Sequence, residues 1–126
     1  MNLRDDLQLI YDRIPAGSRV LDLGCGNGEL LAALVGHKEC SGYGVEIDTD
    51  SVIEAMSRGV NVIQADLEQG LEEFGDNTFD VIVLSQTIQS MQNTEMILRG
   101  LMRVAKQAVV TFPNFGYWRN RFQIAL

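Results

Sequence analysis

At 126 residues, 46% hydrophobic and 21% charged, the chain reads as one globular domain, 1–126, burying on the order of two-thirds of the surface its unfolded form exposes. A net charge of −7 disfavours the phosphate contacts behind nucleic-acid affinity, and no apolar run nears the roughly 18 residues that span a bilayer. Neither nucleic acid nor membrane is therefore an expected partner. In "MNLRDDLQLIYDRIP" Asp5, Asp6 and Asp12 interrupt what a secretory signal needs as an apolar core, so a cytoplasmic location is expected. Cys25 and Cys40 have neither a CxxC nor a metal-ligand spacing and read as reduced thiols.

Leu3, Leu7, Ile10 and Ile14 recur at helical spacing up to Pro15-Ala16-Gly17, which predicts a short amphipathic helix under the first strand. "RVLDL" is that strand, followed by a helix from about Asn27 to Val35 with Gly36 as its stop. "GYGVEI" is a second strand. Ser51 and Glu54 have capping-box spacing, and Arg58-Gly59 closes a second crossover helix. "VNVIQ" is a third strand, and the acidic "ADLEQGLEEFGDNT" holds a short helical or looped crossover with Glu72, Glu73 and Asp76 as a solvated face. "FDVIVL" is apolar enough for a strand buried on both faces. Thr94 heads a helix carrying Ile97, Leu101 and Val104, and "QAVVTF" is a fifth strand stopped by Pro113.

Strands alternating with helices predict an α/β fold: a parallel sheet of order 3-2-1-4-5 with helices on both faces. Its ligand crevice opens at the carboxyl ends of strands 1 and 4, where the order reverses. The glycine-rich "DLGCGNGE" stands there.

Gly24 and Gly26 match the start of a dinucleotide-binding G-x-G-x-x-G, but the third position is Glu29 and the next glycine, Gly28, comes one residue early. A P-loop's Lys and Ser/Thr are absent, and Asp22 stands two residues ahead of the first glycine, where a pyrophosphate is repelled. A cation is not. S-adenosylmethionine, with a sulfonium and no phosphate, suits a loop of bare backbone framed by acids. Here the chain resembles the class I methyltransferases, whose D-x-G-x-G-x-G stands as Asp22, Gly24, Gly26 and Gly28. The Rossmann-like fold of that superfamily is then expected, together with Glu46 at the end of strand 2 on the ribose hydroxyls and Asp66 at the end of strand 3 beside the adenine amino group. Leu67 is then expected against the adenine. Cys25, Ile47, Ser85 and Gln86 complete the expected contacts to S-adenosylmethionine or S-adenosylhomocysteine. Asp48 and Asp50 read as helix-capping residues, and His37 as a surface residue.

"SQTIQ" (Ser85 to Gln89) and "PNFGYWRNR" (Pro113 to Arg121) resemble segments of the methionine biosynthesis protein MetW family. That resemblance covers nearly the whole chain. It implies a methyltransferase-like domain in methionine biosynthesis, linked to homoserine O-acyltransferase, with an accessory or regulatory role. The alternative is an active methyltransferase on a small molecule. Ser85, Gln86, Thr87 and Gln89 hydrogen-bond but are poor bases near neutral pH, so no catalytic residue is assigned.

The class I fold ordinarily adds two strands after the fifth. "RFQIAL" reads as apolar helix, so strands 6 and 7 are expected to be absent and the domain to be C-terminally truncated. Strand 5 then has an open edge, expected to be covered by another chain, self-association included, or by absent residues. Tyr117, Trp118, Arg119 and Phe122 are expected on a basic-aromatic helix that packs as core, with a docking surface as the functional alternative.

Overall fold

A computed structural model describes residues 3–84, 94–110 and 122–125 of the chain. Its elements run α1 (Asp5–Arg13), β1 (Arg19–Leu23), α2 (Glu29–His37), β2 (Ser41–Glu46), α3 (Thr49–Ser57), β3 (Val62–Gln64), α4 (Leu67–Glu72), β4 (Phe79–Leu84), α5 (Thr94–Val104), β5 (Ala105–Val110) and β6 (Phe122–Ala125). The sheet order is β3-β2-β1-β4-β5-β6. The five strands expected from the alternation pair in parallel and in the expected order.

Alternate residues of β1 face opposite sides, and two cores follow from that. Val20 joins Leu7, Ile10, Leu31 and Leu34 on the side of α1 and α2. Leu21 and Leu23 join Val45, Leu71, Leu101 and Val104 on the side of α4 and α5. In β4 Val81, Ile82, Val83 and Leu84 are all buried, as a strand covered on both faces requires.

Three local expectations are corrected. The helix after the glycine loop continues through Gly36 to His37, with Lys38 as its C-cap. Gly36 is exposed and takes helical geometry without acting as the stop. The next helix is capped by Asp48, whose carboxylate accepts from Ser51 N at 2.9 Å and from Ser51 Oγ at 2.8 Å, so Ser51 is the capped residue. The largest correction is at the C-terminal end. Phe122–Ala125 is a strand, antiparallel to β5 in the register Ala108↔Ile124 and Val109↔Gln123. It covers the edge that was expected to be open, and with it goes the ground for self-association through that edge. Pro113 to Arg121, including Tyr117, Trp118 and Arg119, lie outside the described residues.

Candidate functional site

The crevice forms where β1 lies between β2 and β4, because the chain leaves β1 first toward one side of the sheet and later returns on the other. The loop from Gly24 to Gly28 crosses its mouth. Gly24, Gly26 and Gly28 have φ of 75°, 57° and 81°, a region that residues with a Cβ rarely enter. Their surroundings differ. A Cβ at Gly28 would lie 3.0 Å from Ala55 Cβ and 3.2 Å from Val60 Cγ2, whereas one at Gly26 would meet nothing within 4 Å. Gly28 lets α2 approach α3, and Gly26 leaves backbone open to the crevice.

The loop is tied to β2 by Gly24 N and Cys25 N, which donate to Val45 O at 2.8 and 3.0 Å. Cys25 is buried, and its sulfur occupies a notch over Gly44: a Cβ at Gly44 would stand 2.5 Å from Cys25 Sγ. Burial, and then the charges of Asp22 and Glu46, push the Cys25 thiol up to about 12. Cys25 is a spacer and not a nucleophile.

Glu46, the last residue of β2, holds the same loop. Its Oε1 accepts from Gly26 N at 2.9 Å, while Oε2 accepts from Ile47 N at 3.0 Å and Asp48 N at 2.9 Å. One side chain thus braces the glycine loop and the start of α3. Gln64, at the end of β3, supports the same corner by donating to Ile47 O at 3.2 Å and Thr49 Oγ1 at 2.8 Å.

Asp22 is 3% exposed, and its carboxyl has no hydrogen-bond partner among the described residues. Burial, and then the neighbouring Glu46 charge, raise it from 3.8 to about 7. A buried carboxyl with nothing to pair it is costly. It makes this cluster a place where an arriving cation would be welcome.

Asp22, Cys25, Gly26 and Glu46 are therefore gathered under one loop, and Ile47 stands beside them 63% exposed. Asp66 is at the same carboxyl rim, beyond β3, where it caps α4: Oδ1 accepts from Gln69 N at 2.8 Å, and Gln69 Oε1 accepts from Asp66 N at 3.4 Å. Leu67 opens α4 and is partly buried against the second core. Ser85 and Gln86 lie outside the described residues. His37 is exposed, and Glu72, Glu73 and Asp76 are exposed as expected, although Asp76 pairs with Arg103 at 2.9 Å. A separate groove of about 260 Å³, between the carboxyl ends of α2 and α3, opens at the opposite rim of the sheet. Gly44 and Gln64 were missed as site residues. A glycine inside a strand signals close approach and could have revealed Gly44, but nothing local distinguishes Gln64.

The family Methionine biosynthesis protein MetW matches residues 4–126. The chain is 40% identical over 129 residues to the Bifunctional methionine biosynthesis protein MetXA/MetW of Rhodopirellula baltica, covering 96% of this chain and 21% of that protein. It is 30% identical over 100 residues to the Ubiquinone/menaquinone biosynthesis C-methyltransferase UbiE of Idiomarina loihiensis, covering 71% of this chain and 39% of that one. The chain thus spans between about a fifth and two-fifths of the length of these curated relatives. Among solved structures, a SAM dependent methyltransferase from Aquifex aeolicus aligns with a TM-score of 0.65 and 26% identity over 84% of this chain and 62% of that one. The parallel sheet with its glycine loop is thus the class I methyltransferase fold, and the chain belongs to the MetW family of methionine biosynthesis proteins.

Proposed function

We propose that the crevice binds S-adenosylmethionine and that the domain serves a homoserine O-acyltransferase as an accessory or regulatory partner. The observation that carries the ligand is Asp22, a buried carboxyl without a hydrogen-bond partner among the described residues, beneath a loop whose Gly26 backbone is open. The donor set fits a cationic nucleoside: acids and bare backbone, with an exposed apolar Ile47 at the rim. Glu46 accepts the ribose hydroxyls. Ile47 and Leu67 flank the adenine, Asp66 receives its amino group, and Asp22 offsets the ligand's positive charge. The loop residues Gly24, Cys25, Gly26 and Gly28 approach the amino-acid end, and Ser85 and Gln86, which follow β4 in sequence, are further proposed contacts. When bound, the ligand supplies an activated methyl group; the acids of the chain orient it and match its charge.

Support for the partner comes from the bifunctional MetXA/MetW relative, in which a region like this chain is part of a longer protein. A domain that binds the activated form of methionine and touches an early enzyme of the same biosynthesis can report end-product supply. Calorimetry with S-adenosylmethionine, S-adenosylhomocysteine and NAD tests the ligand. Saturable binding of the first two is expected, and binding of NAD alone would sink the reading. Acyltransferase assays with and without the chain, each with and without S-adenosylmethionine, test the partnership, and unchanged rates in all four would remove it.

A second reading, an active methyltransferase on a small acceptor, rests on the 30% identical UbiE relative, a C-methyltransferase. Fold alone does not decide between them. Transfer of a labelled methyl group to a small-molecule acceptor would favour the enzyme.

A further inference from the structure

The three hydrogen bonds to Glu46 limit what else that carboxylate can do. An ionised carboxylate offers about four acceptor positions, two on each oxygen. Ile47 N and Asp48 N fill Oε2, and Gly26 N takes half of Oε1. One position is left. A ribose brings two hydroxyl donors, so three backbone donors and two hydroxyls cannot all be accepted at once.

The donor that yields is identifiable. Ile47 and Asp48 are the next two residues in the chain after Glu46, and Asp48 is pinned by its own bonds to Ser51. Gly26 is twenty residues away along the sequence and faces open space where a Cβ would be. Its side of the loop is anchored to β2 through Gly24 N and Cys25 N, both bonded to Val45 O, and within itself by Gly28 N, which donates to Cys25 O at 3.1 Å. The Gly26 amide can rotate away with both bonds to Val45 O intact, giving up the Gly28 N bond to Cys25 O, which shares its peptide plane.

Resting on the reading that Glu46 takes the ribose, we infer that Glu46 is an exchangeable latch. It holds the glycine loop through Gly26 N–H, and a vicinal diol displaces that amide, freeing it to donate to the ligand. A nucleoside with a single hydroxyl uses the vacant position on Oε1 and leaves the latch closed. The second hydroxyl therefore replaces an existing bond: deleting either one returns Gly26 N–H to Oε1 and costs only the bond that amide made to the ligand, less than about tenfold in affinity.

The test is nuclear magnetic resonance on the chain labelled with nitrogen-15 and carbon-13, reading the coupling across the hydrogen bond between Gly26 N and Glu46 Cδ. The probes are S-adenosylhomocysteine and its 2′-deoxy and 3′-deoxy forms, with affinities measured by calorimetry on the same samples. The coupling is expected in the empty protein, lost at saturation with the diol ligand and retained with either deoxy form. Saturable binding with the coupling intact would overturn the latch and leave the ligand reading standing. Loss of the coupling with a deoxy form, or an affinity penalty above about tenfold for either deletion, would also overturn it. No binding of any of the three removes both readings.

Discussion

Asp22 and Glu46 sit on neighbouring strands and carry the same formal charge, yet their surroundings give them different work. Glu46 is satisfied by three backbone amides, while Asp22 is buried and raised to about 7. Between about pH 4 and 7 the folded chain keeps a proton at Asp22 that the unfolded chain has lost. The contribution of this residue to stability therefore falls as pH rises through that window and is level above it, a change of at most about 4 kcal/mol. Asp22→Asn should flatten that part of the profile, as read from urea midpoints at pH 5 and 8. Cation binding has the opposite sign: a positive ligand favours the carboxylate, so affinity for S-adenosylmethionine should rise between pH 5 and 7 with release of a proton, and Asp22→Asn should abolish the rise. If Glu46 takes the ribose as proposed, Glu46→Ala should weaken binding by about 1.5–3 kcal/mol; unchanged calorimetric affinity would show that the ribose is held elsewhere.

Helices and strands position these carboxyls through contacts with no slack. Alanine at Gly44 would put a Cβ 2.5 Å from Cys25 Sγ and 2.9 Å from Cys25 Cβ. Gly44→Ala should therefore lift the glycine loop from β2, costing about 1–3 kcal/mol in a urea titration and weakening ligand binding as well. Gly28→Ala should cost at least as much, since it adds a φ of 81° to contacts of 3.0 and 3.2 Å with Ala55 and Val60. The glycine spacing was legible as a loop because three alternate glycines fit neither helix nor strand. The roles of the individual glycines were not, since Gly26 and Gly28 have the same backbone freedom and differ only in what packs opposite them. The helix ends near Gly36 and Ser51 are not legible in the sequence for a related reason: a glycine or a serine is a good cap only where the chain turns, and neighbouring elements decide where it turns.

At the scale of the molecule, β6 converts β5 from an edge into an interior strand. Amides of β5 should exchange slowly on both its sides, and a chain ending before Phe122 should lose protection along Gln107–Val110, measured by hydrogen exchange. Equal protection in both chains would mean that β6 adds nothing to the sheet. The alternation of apolar strands with helical stretches determined the parallel order, since right-handed crossovers leave few other arrangements. Asp22 and the early Gly28, together with Glu46 and Asp66, point the loop away from phosphate in the sequence itself. What only the tertiary structure decided were relations between segments far apart in sequence: Phe122–Ala125 lying along β5, Cys25 seated over Gly44, and Gly26 N–H held by Glu46. A short apolar stretch such as "RFQIAL" has no intrinsic preference strong enough to choose helix or strand, so its state is set by the neighbour that offers hydrogen bonds, and that neighbour appears only when the chain is folded.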